Sequence, residues 1–240
     1  VSDRRLLIDG NGGRAIVAHL SPGVAERRPL LVYATGDRGW AGKDRDTFDV
    51  LVALGYPAIG FSSPEYLKHL PNHAKSITPA HLARDYATMI ESAKTWLGLP
   101  AETRAILVGV SRGADLSVAA AGQRLLQPEL GGVVAVALTK EEEYVRRRVD
   151  SANAAQGEPQ MLELYAYLPS LGDVPVSVIQ STHDDYLPAD AARVLFGPDG
   201  ARRQLHAIEA RDHSFSGARP EMYDAVEAAL EWIEQLSMGR

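Results

Sequence analysis

The chain has 240 residues, 45% of them hydrophobic, and a formal net charge of −6; it can bury one substantial core but lacks the basic excess with which nucleic-acid-binding surfaces neutralise phosphates. It has no cysteine, which excludes disulfides, thiol catalysis and thiolate metal sites. No apolar run reaches the about 18 residues that span a bilayer, and Val1-Ser2-Asp3-Arg4-Arg5 carries no signal-peptide core, so a leader already removed, and with it the compartment, stays open.

Apolar runs at 6–9 and 15–20, separated by Gly10-Asn11-Gly12-Gly13, predict a hairpin. The continuous run 29–34, ending at Thr35-Gly36, predicts a strand buried on both faces. A helix over 44–54 closes at Gly55, and a second buried strand covers 56–61. Segment 64–73, with Tyr66 and His69, follows that strand and is expected to shape a pocket. Thr78-Pro79 opens a helix, with Thr as N-cap and Pro in the first turn. Leu82, Tyr86, Met89, Ile90 and Ala93 then recur at helical spacing to about Leu97. Strands at 105–108, 132–138, 174–180 and 204–208 alternate with helices at 114–126 and 189–195. The final helix, 220–236, carries Val226, Leu230 and Ile233 on one face.

This alternation predicts an α/β fold over 1–240, one domain with a mostly parallel central sheet and helices on both faces. Reactive groups of such sheets gather on loops at the carboxyl ends of the strands. Segment 139–173 breaks the regular spacing and is expected to be a lid or cap.

Gly109-Val110-Ser111-Arg112-Gly113 lies between a strand and a helix, as a nucleophile elbow requires. A serine hydroxyl needs a base, and the base needs a carboxylate to orient it. In an α/β-hydrolase fold these arrive in the order Ser, acid, His. His213 is the histidine that follows the last strand. The acid should follow strand 174–180, where Asp184 and Asp185 stand; Asp184 is preferred because Pro188 comes four residues later, with Asp185 as the alternative. The oxyanion of a tetrahedral intermediate would be held by the backbone N–H of Arg112 and by one from Thr35-Gly36-Asp37-Arg38-Gly39-Trp40. Asp37 is the first choice and Arg38 the second. No metal or other cofactor is expected, because His183, Asp184, Asp185 and His213 show no fixed ligand spacing.

The loop Gly36-Asp37-Arg38-Gly39-Trp40, the run Gly109-Val110-Ser111-Arg112-Gly113-Ala114-Asp115, the Thr78-Pro79 helix with Asp85, and His213-Ser214-Phe215 together resemble the bacterial VirJ/AcvB virulence-protein family. The sequence departs from that pattern at Arg38, where the family has glycine, and in the acid loop 181–188. The resemblance implies an α/β hydrolase of the bacterial envelope that attacks the aminoacyl, notably lysyl, ester of phosphatidylglycerol. It implies a periplasmic location, with cytoplasm as the alternative, and contact with a membrane surface. Arg38, Tyr66 and Asp115 would then bind substrate, with Asp115 or Asp37 facing the ammonium group. The other functions open are cleavage of a small carboxylic ester and a non-catalytic, secretion-associated binding module on the same fold. Oligomeric state is not legible.

Overall fold

The structure is a computed structural model and describes residues 1–8, 14–24, 28–68, 78–142 and 162–238. Its main sheet has eight strands. They are β1 (Ser2–Ile8), β2 (Arg14–Ser21), β3 (Leu30–Ala34), β4 (Ala58–Phe61), β5 (Ala105–Val110), β6 (Leu130–Val136), β9 (Val176–Ser181) and β10 (Arg203–Ile208). They lie in the order β1-β2-β4-β3-β5-β6-β9-β10. β1 and β2 form an antiparallel hairpin and β2 runs antiparallel to β4; every later pairing is parallel.

The central strands alternate between two cores, as the two-residue period of a strand demands. In β3, Leu30, Val32 and Ala34 face one core, while Leu31 and Tyr33 face the other. The first core is covered by α3 (Pro79–Leu97), α4 (Arg112–Ala121) and α6 (Ala189–Phe196), and the second by α1 (Gly42–Ala53) and α7 (Arg219–Met238). Covered on both faces, the inner strands read as unbroken apolar runs.

Local signals account for the helix ends. Thr78 caps α3, its side chain accepting from the N–H of His81 at 3.3 Å. Gly55 follows α1 at φ +89°, a conformation that side chains resist. α4 stops at Ala121, five residues before the predicted end, because Gly122 breaks the run and Tyr167 and Ser170 pack against it. β6 lies two residues earlier than expected, since Ala137 turns away at φ +54°.

Several elements were not anticipated. Helix α2 (Ser63–Lys68) follows β4. Within segment 139–173, β7 (Glu141–Glu142) pairs with β8 (Leu162–Glu163), and α5 (Leu164–Tyr167) leads into a tight turn over Leu168–Leu171. Residues 143–161 of that segment, like His69, lie outside the described residues.

Candidate active site

β5 delivers the chain to Ser111, and α4 starts at the next residue. Ser111 sits at φ +52°, ψ −122°, a backbone state costly for any residue with a side chain. The turn closes only because its neighbours lack side chains. A Cβ on Gly109 would collide with the backbone of Gly113 and Ala114, and one on Gly113 with the carbonyl of Ala34 on β3. Those two contacts are the physical content of the G-x-S-x-G pattern. The Ser111 N–H bonds Val136 O at 2.8 Å, tying the turn to β6.

The two residues expected from later in the chain meet this serine. His213 Nε2 lies 2.8 Å from Ser111 Oγ, and His213 Nδ1 lies 2.7 Å from Asp184 Oδ2. With its proton on Nδ1, the imidazole donates to Asp184 and accepts from the serine hydroxyl. Asp184 is 3% exposed. Its Oδ1 accepts from the N–H groups of Tyr186 (2.8 Å) and Leu187 (3.2 Å). Its Oδ2 accepts from Gln180 Nε2 (3.1 Å) as well as from His213. Asp185 is exposed and makes none of these bonds.

The His213 loop is shaped by its neighbours. Asp212 Oδ1 accepts from the N–H groups of Ser214 (2.9 Å) and Ser216 (3.1 Å), and Phe215 is buried at φ +56°. Bonds from Ser216 hold the Asp212 carboxyl below its ordinary range. Phe215 is thus the anchor of this loop. Tyr186 packs edge-on against the imidazole, with ring centroids 4.7 Å apart.

Loop 35–40 passes beside Ser111: a Cβ on Gly36 would stand 3.5 Å from Ser111 Cβ. The Gly36 N–H is already used, donating to Asp44 Oδ1 at 2.8 Å. Tyr33 Oη donates to the Asp44 carbonyl at 2.9 Å. Asp44 is raised above the usual carboxylate range by its burial, which the Gly36 bond opposes. Trp40 pins the far end of the loop, stacked on His19 at 3.7 Å and edge-on to Phe48 at 4.8 Å. Among the described residues no protein acceptor takes the N–H of Asp37 or of Arg112. The latter opens α4, where first-turn N–H groups have no intrahelical acceptor. Arg112 is the residue after Ser111, and Asp37 the residue after Gly36.

Of the residues expected to bind substrate, two are buried within the protein. Tyr66 does not face the site: it is 1% exposed, packs on Phe61, and its Oη donates to Asp85 at 2.6 Å, linking α2 to α3. Asp115 is fully buried and accepts from the N–H (3.1 Å) and hydroxyl (2.9 Å) of Thr139. Burial first, then the neighbouring Glu142 carboxyl, push Asp115 well above the ordinary range. It braces the start of segment 139–173 and, fully buried, is not open to an ammonium group. Asp37 is exposed but pairs with Arg112 Nε at 2.7 Å, and the same guanidinium reaches Glu142 at 3.5 Å. Arg38 is exposed on the same loop. Asp44, Gln180, Thr139, Glu142 and the Arg112 side chain were not identified from sequence, because their roles are contacts between distant segments.

A separate cleft of about 380 Å³, lined by Arg104, Arg124 and Arg202 among others, opens at the amino ends of the strands and shares no residue with this site. Among the described residues, no group of three or more His, Asp or Glu side chains is placed to hold a metal ion, and no helix is long and apolar enough to cross a membrane.

No curated protein sequence matches the chain. Solved structures do. A provisionally assigned dienelactone hydrolase from Klebsiella pneumoniae superposes with a TM-score of 0.68 at 18% identity, over 98% of both chains. Est1E from Butyrivibrio proteoclasticus gives 0.67 at 15% identity, over 98% of this chain and 100% of its own. The esterase Pf2001 of Pyrococcus furiosus gives 0.67 at 13% identity, over 98% of this chain and 91% of its own. At such identities the likeness establishes the fold, an α/β-hydrolase sheet. The family model for bacterial virulence protein (VirJ) matches residues 29–153, just over half of the chain and spanning both the Asp37 loop and the Ser111 elbow. The chain therefore belongs to the VirJ family of bacterial virulence proteins, on an α/β-hydrolase fold.

Proposed function

We propose that the protein is a serine hydrolase that cleaves a carboxylic ester through an acyl-enzyme. The observation that carries this reading is the hydrogen-bonded chain from Ser111 through His213 to Asp184, at 2.8 and 2.7 Å, on a strained elbow. Ser111 Oγ attacks the ester carbonyl while His213 takes its proton. The new oxyanion is held by the N–H groups of Arg112 and Asp37, each such donor lowering the barrier by about 3 kcal/mol. The imidazolium, stabilised by Asp184, then protonates the departing alkoxide, and the alcohol leaves an ester on Ser111. A water molecule, deprotonated by His213, attacks that ester and regenerates the serine and the free acid. A binding module has no need of this donor order or of the strain at Ser111, which favours the enzyme reading.

The test is labelling by a fluorophosphonate probe, expected for the native protein and lost in Ser111→Ala; an unlabelled native protein refutes the proposal. Within it, the aminoacyl ester of phosphatidylglycerol is the substrate suggested by the family resemblance, at an envelope membrane surface. The two acids first assigned to its ammonium group, Asp37 and Asp115, are both paired within the protein, so the support for that substrate is the resemblance alone. Lysyl-phosphatidylglycerol and a short p-nitrophenyl ester, assayed side by side, decide: turnover of the second without the first assigns a small-ester hydrolase. A kcat/KM that stays flat from about pH 5 to about pH 9 argues against His213 as the base.

A further inference from the structure

Four parallel strands begin around the cleft of about 380 Å³: Arg104 precedes β5, Leu130 opens β6, Pro175 precedes β9 and Arg202 precedes β10. The chain carries a net charge of −6, yet three arginines and one acid, Asp173, line this space. Asp173 serves Arg202: its carbonyl accepts from Nη1 at 3.1 Å, and its carboxylate lies 3.9 Å from Nε. Arg104 and Arg124 make no hydrogen bond or ion pair to any described residue. Glu129, beside the cleft, is already taken by Lys94 Nζ at 2.7 Å. Leu236 and Ser237 bring the end of α7 to the cleft, where a helix attracts cations, but neither arginine bonds its carbonyls. Among the described residues two positive charges therefore share one cleft without a counter-charge, an arrangement that costs free energy while the cleft is empty. The lining is also bare at a position where the backbone does not require it. The β5–β6 register shifts between Ala105 and Ile106, so Gly131 stands opposite no β5 residue. Its φ is not positive, and a Cβ there would meet ordinary contacts, 3.5 Å from Ile106 Cγ1 and 3.7 Å from Arg104 Cβ. Neither backbone conformation nor packing demands glycine at this place; what glycine leaves is open space beside Arg104. Leu130, Val174, Pro175 and Leu236 add apolar surface to the same cleft.

We propose that this cleft binds a phosphate monoester of a small organic molecule, with Arg104 and Arg124 on the phosphate and the organic part against the apolar lining. Guanidinium forks match phosphate oxygens in pairs. A phosphate monoester carries a charge of about −1.5 to −2 near neutral pH, which balances two arginines, whereas a single carboxylate leaves one over. The cleft falls within the range of about 300–1,000 Å³ typical of small-molecule sites, so it has room for an organic body as well as the phosphate. The inference is independent of the ester-hydrolase reading, because the cleft shares no residue with the Ser111 site.

Isothermal titration calorimetry on the native protein tests it, with AMP, glucose 6-phosphate and phenyl phosphate as probes against inorganic phosphate, adenosine, glucose and phenol. At least one monoester should bind more tightly than inorganic phosphate, while its unphosphorylated counterpart shows no binding. Arg104→Gln and Arg124→Gln should each weaken that binding by about tenfold or more, the size of one charged hydrogen bond. Their Tm should stay near native, since neither arginine has a described partner to lose. Asp173→Asn should strengthen binding by about fivefold through removal of a like charge, a gain that a misfolded variant does not give. A native protein that binds no monoester more tightly than inorganic phosphate, or binding indifferent to both arginine substitutions, overturns the inference. Vesicles of phosphatidylcholine with and without phosphatidic acid separate the two sources of the phosphate. Arginine-dependent capture by phosphatidic acid, with no soluble monoester bound, assigns the cleft to a lipid headgroup and overturns the small-molecule assignment.

Discussion

At the scale of single residues, hydrogen bonding sets two adjacent acids apart. Asp184 is buried under four donors, one of them His213, whereas Asp185 is exposed. Asp184→Asn keeps the shape but turns the amide against the Nδ1 proton, so kcat should fall about 10⁴-fold, as it does when such a tautomer is lost. Asp185→Asn should stay near native, and steady-state kinetics on any accepted ester compares them. Asp115 makes a pH prediction. Its carboxyl is raised in the folded protein, so between the ordinary aspartate range and the folded titration the native state holds the extra proton. This group's contribution to stability is therefore fully present below about pH 4 and is lost as pH rises through the folded titration. Asp115→Asn should flatten that decline in plots of Tm against pH; an unaltered slope would assign it to other groups.

Elements matter at the elbow and at the loop beside it. Strand, serine turn and helix were legible as a unit because their signals are local: an apolar run, two glycines and an alanine-rich helix. The packing that makes the glycines necessary is not local, since Gly113 abuts Ala34 on another strand. Gly113→Ala should cost about 1–3 kcal/mol or more by overpacking, read by denaturant titration. Arg112 joins the elbow to loop 35–40 through Asp37 and to β7 through Glu142. Half-exposed ion pairs contribute about 0–1 kcal/mol to stability, so Arg112→Met should leave Tm close to native. If the pair positions the Asp37 N–H, kcat should drop about tenfold with KM little changed, since that donor acts on the transition state. An unchanged kcat would mean that Asp44 and Trp40 hold the loop unaided.

Over the whole molecule, one sheet separates two cores, and each helix layer seals one of them. Leu230 and Ile233 of α7 are fully buried in the second core, against the face of β6. Leu230→Ala should destabilise by about 2–5 kcal/mol, the range for a large-to-small change in a packed core, without altering labelling of Ser111 at temperatures where the protein stays folded. Segment 139–173 joins the rest of the fold through Thr139 on Asp115, through Glu142 on Arg112 and through Tyr167 and Ser170 against Gly122. The short hairpin of segment 139–173 was not expected, because strands of two residues leave no periodicity to read.

The sequence by itself determined the alternation of buried strands and helices, the elbow at Ser111, and the order in which Asp184 and His213 follow it. Those are properties of side-chain period and turn chemistry, which neighbouring residues express together. The tertiary structure decided the partners. It bonded Asp184 to His213, turned Tyr66 into a core residue bonded to Asp85, and buried Asp115 against Thr139. The reason is distance along the chain: Ser111 and His213 are 102 residues apart, Tyr66 and Asp85 are 19 apart, and Asp115 and Thr139 are 24 apart. Hydrogen bonds across such gaps depend on how the layers pack, and no local pattern encodes which of two candidate groups will be in reach.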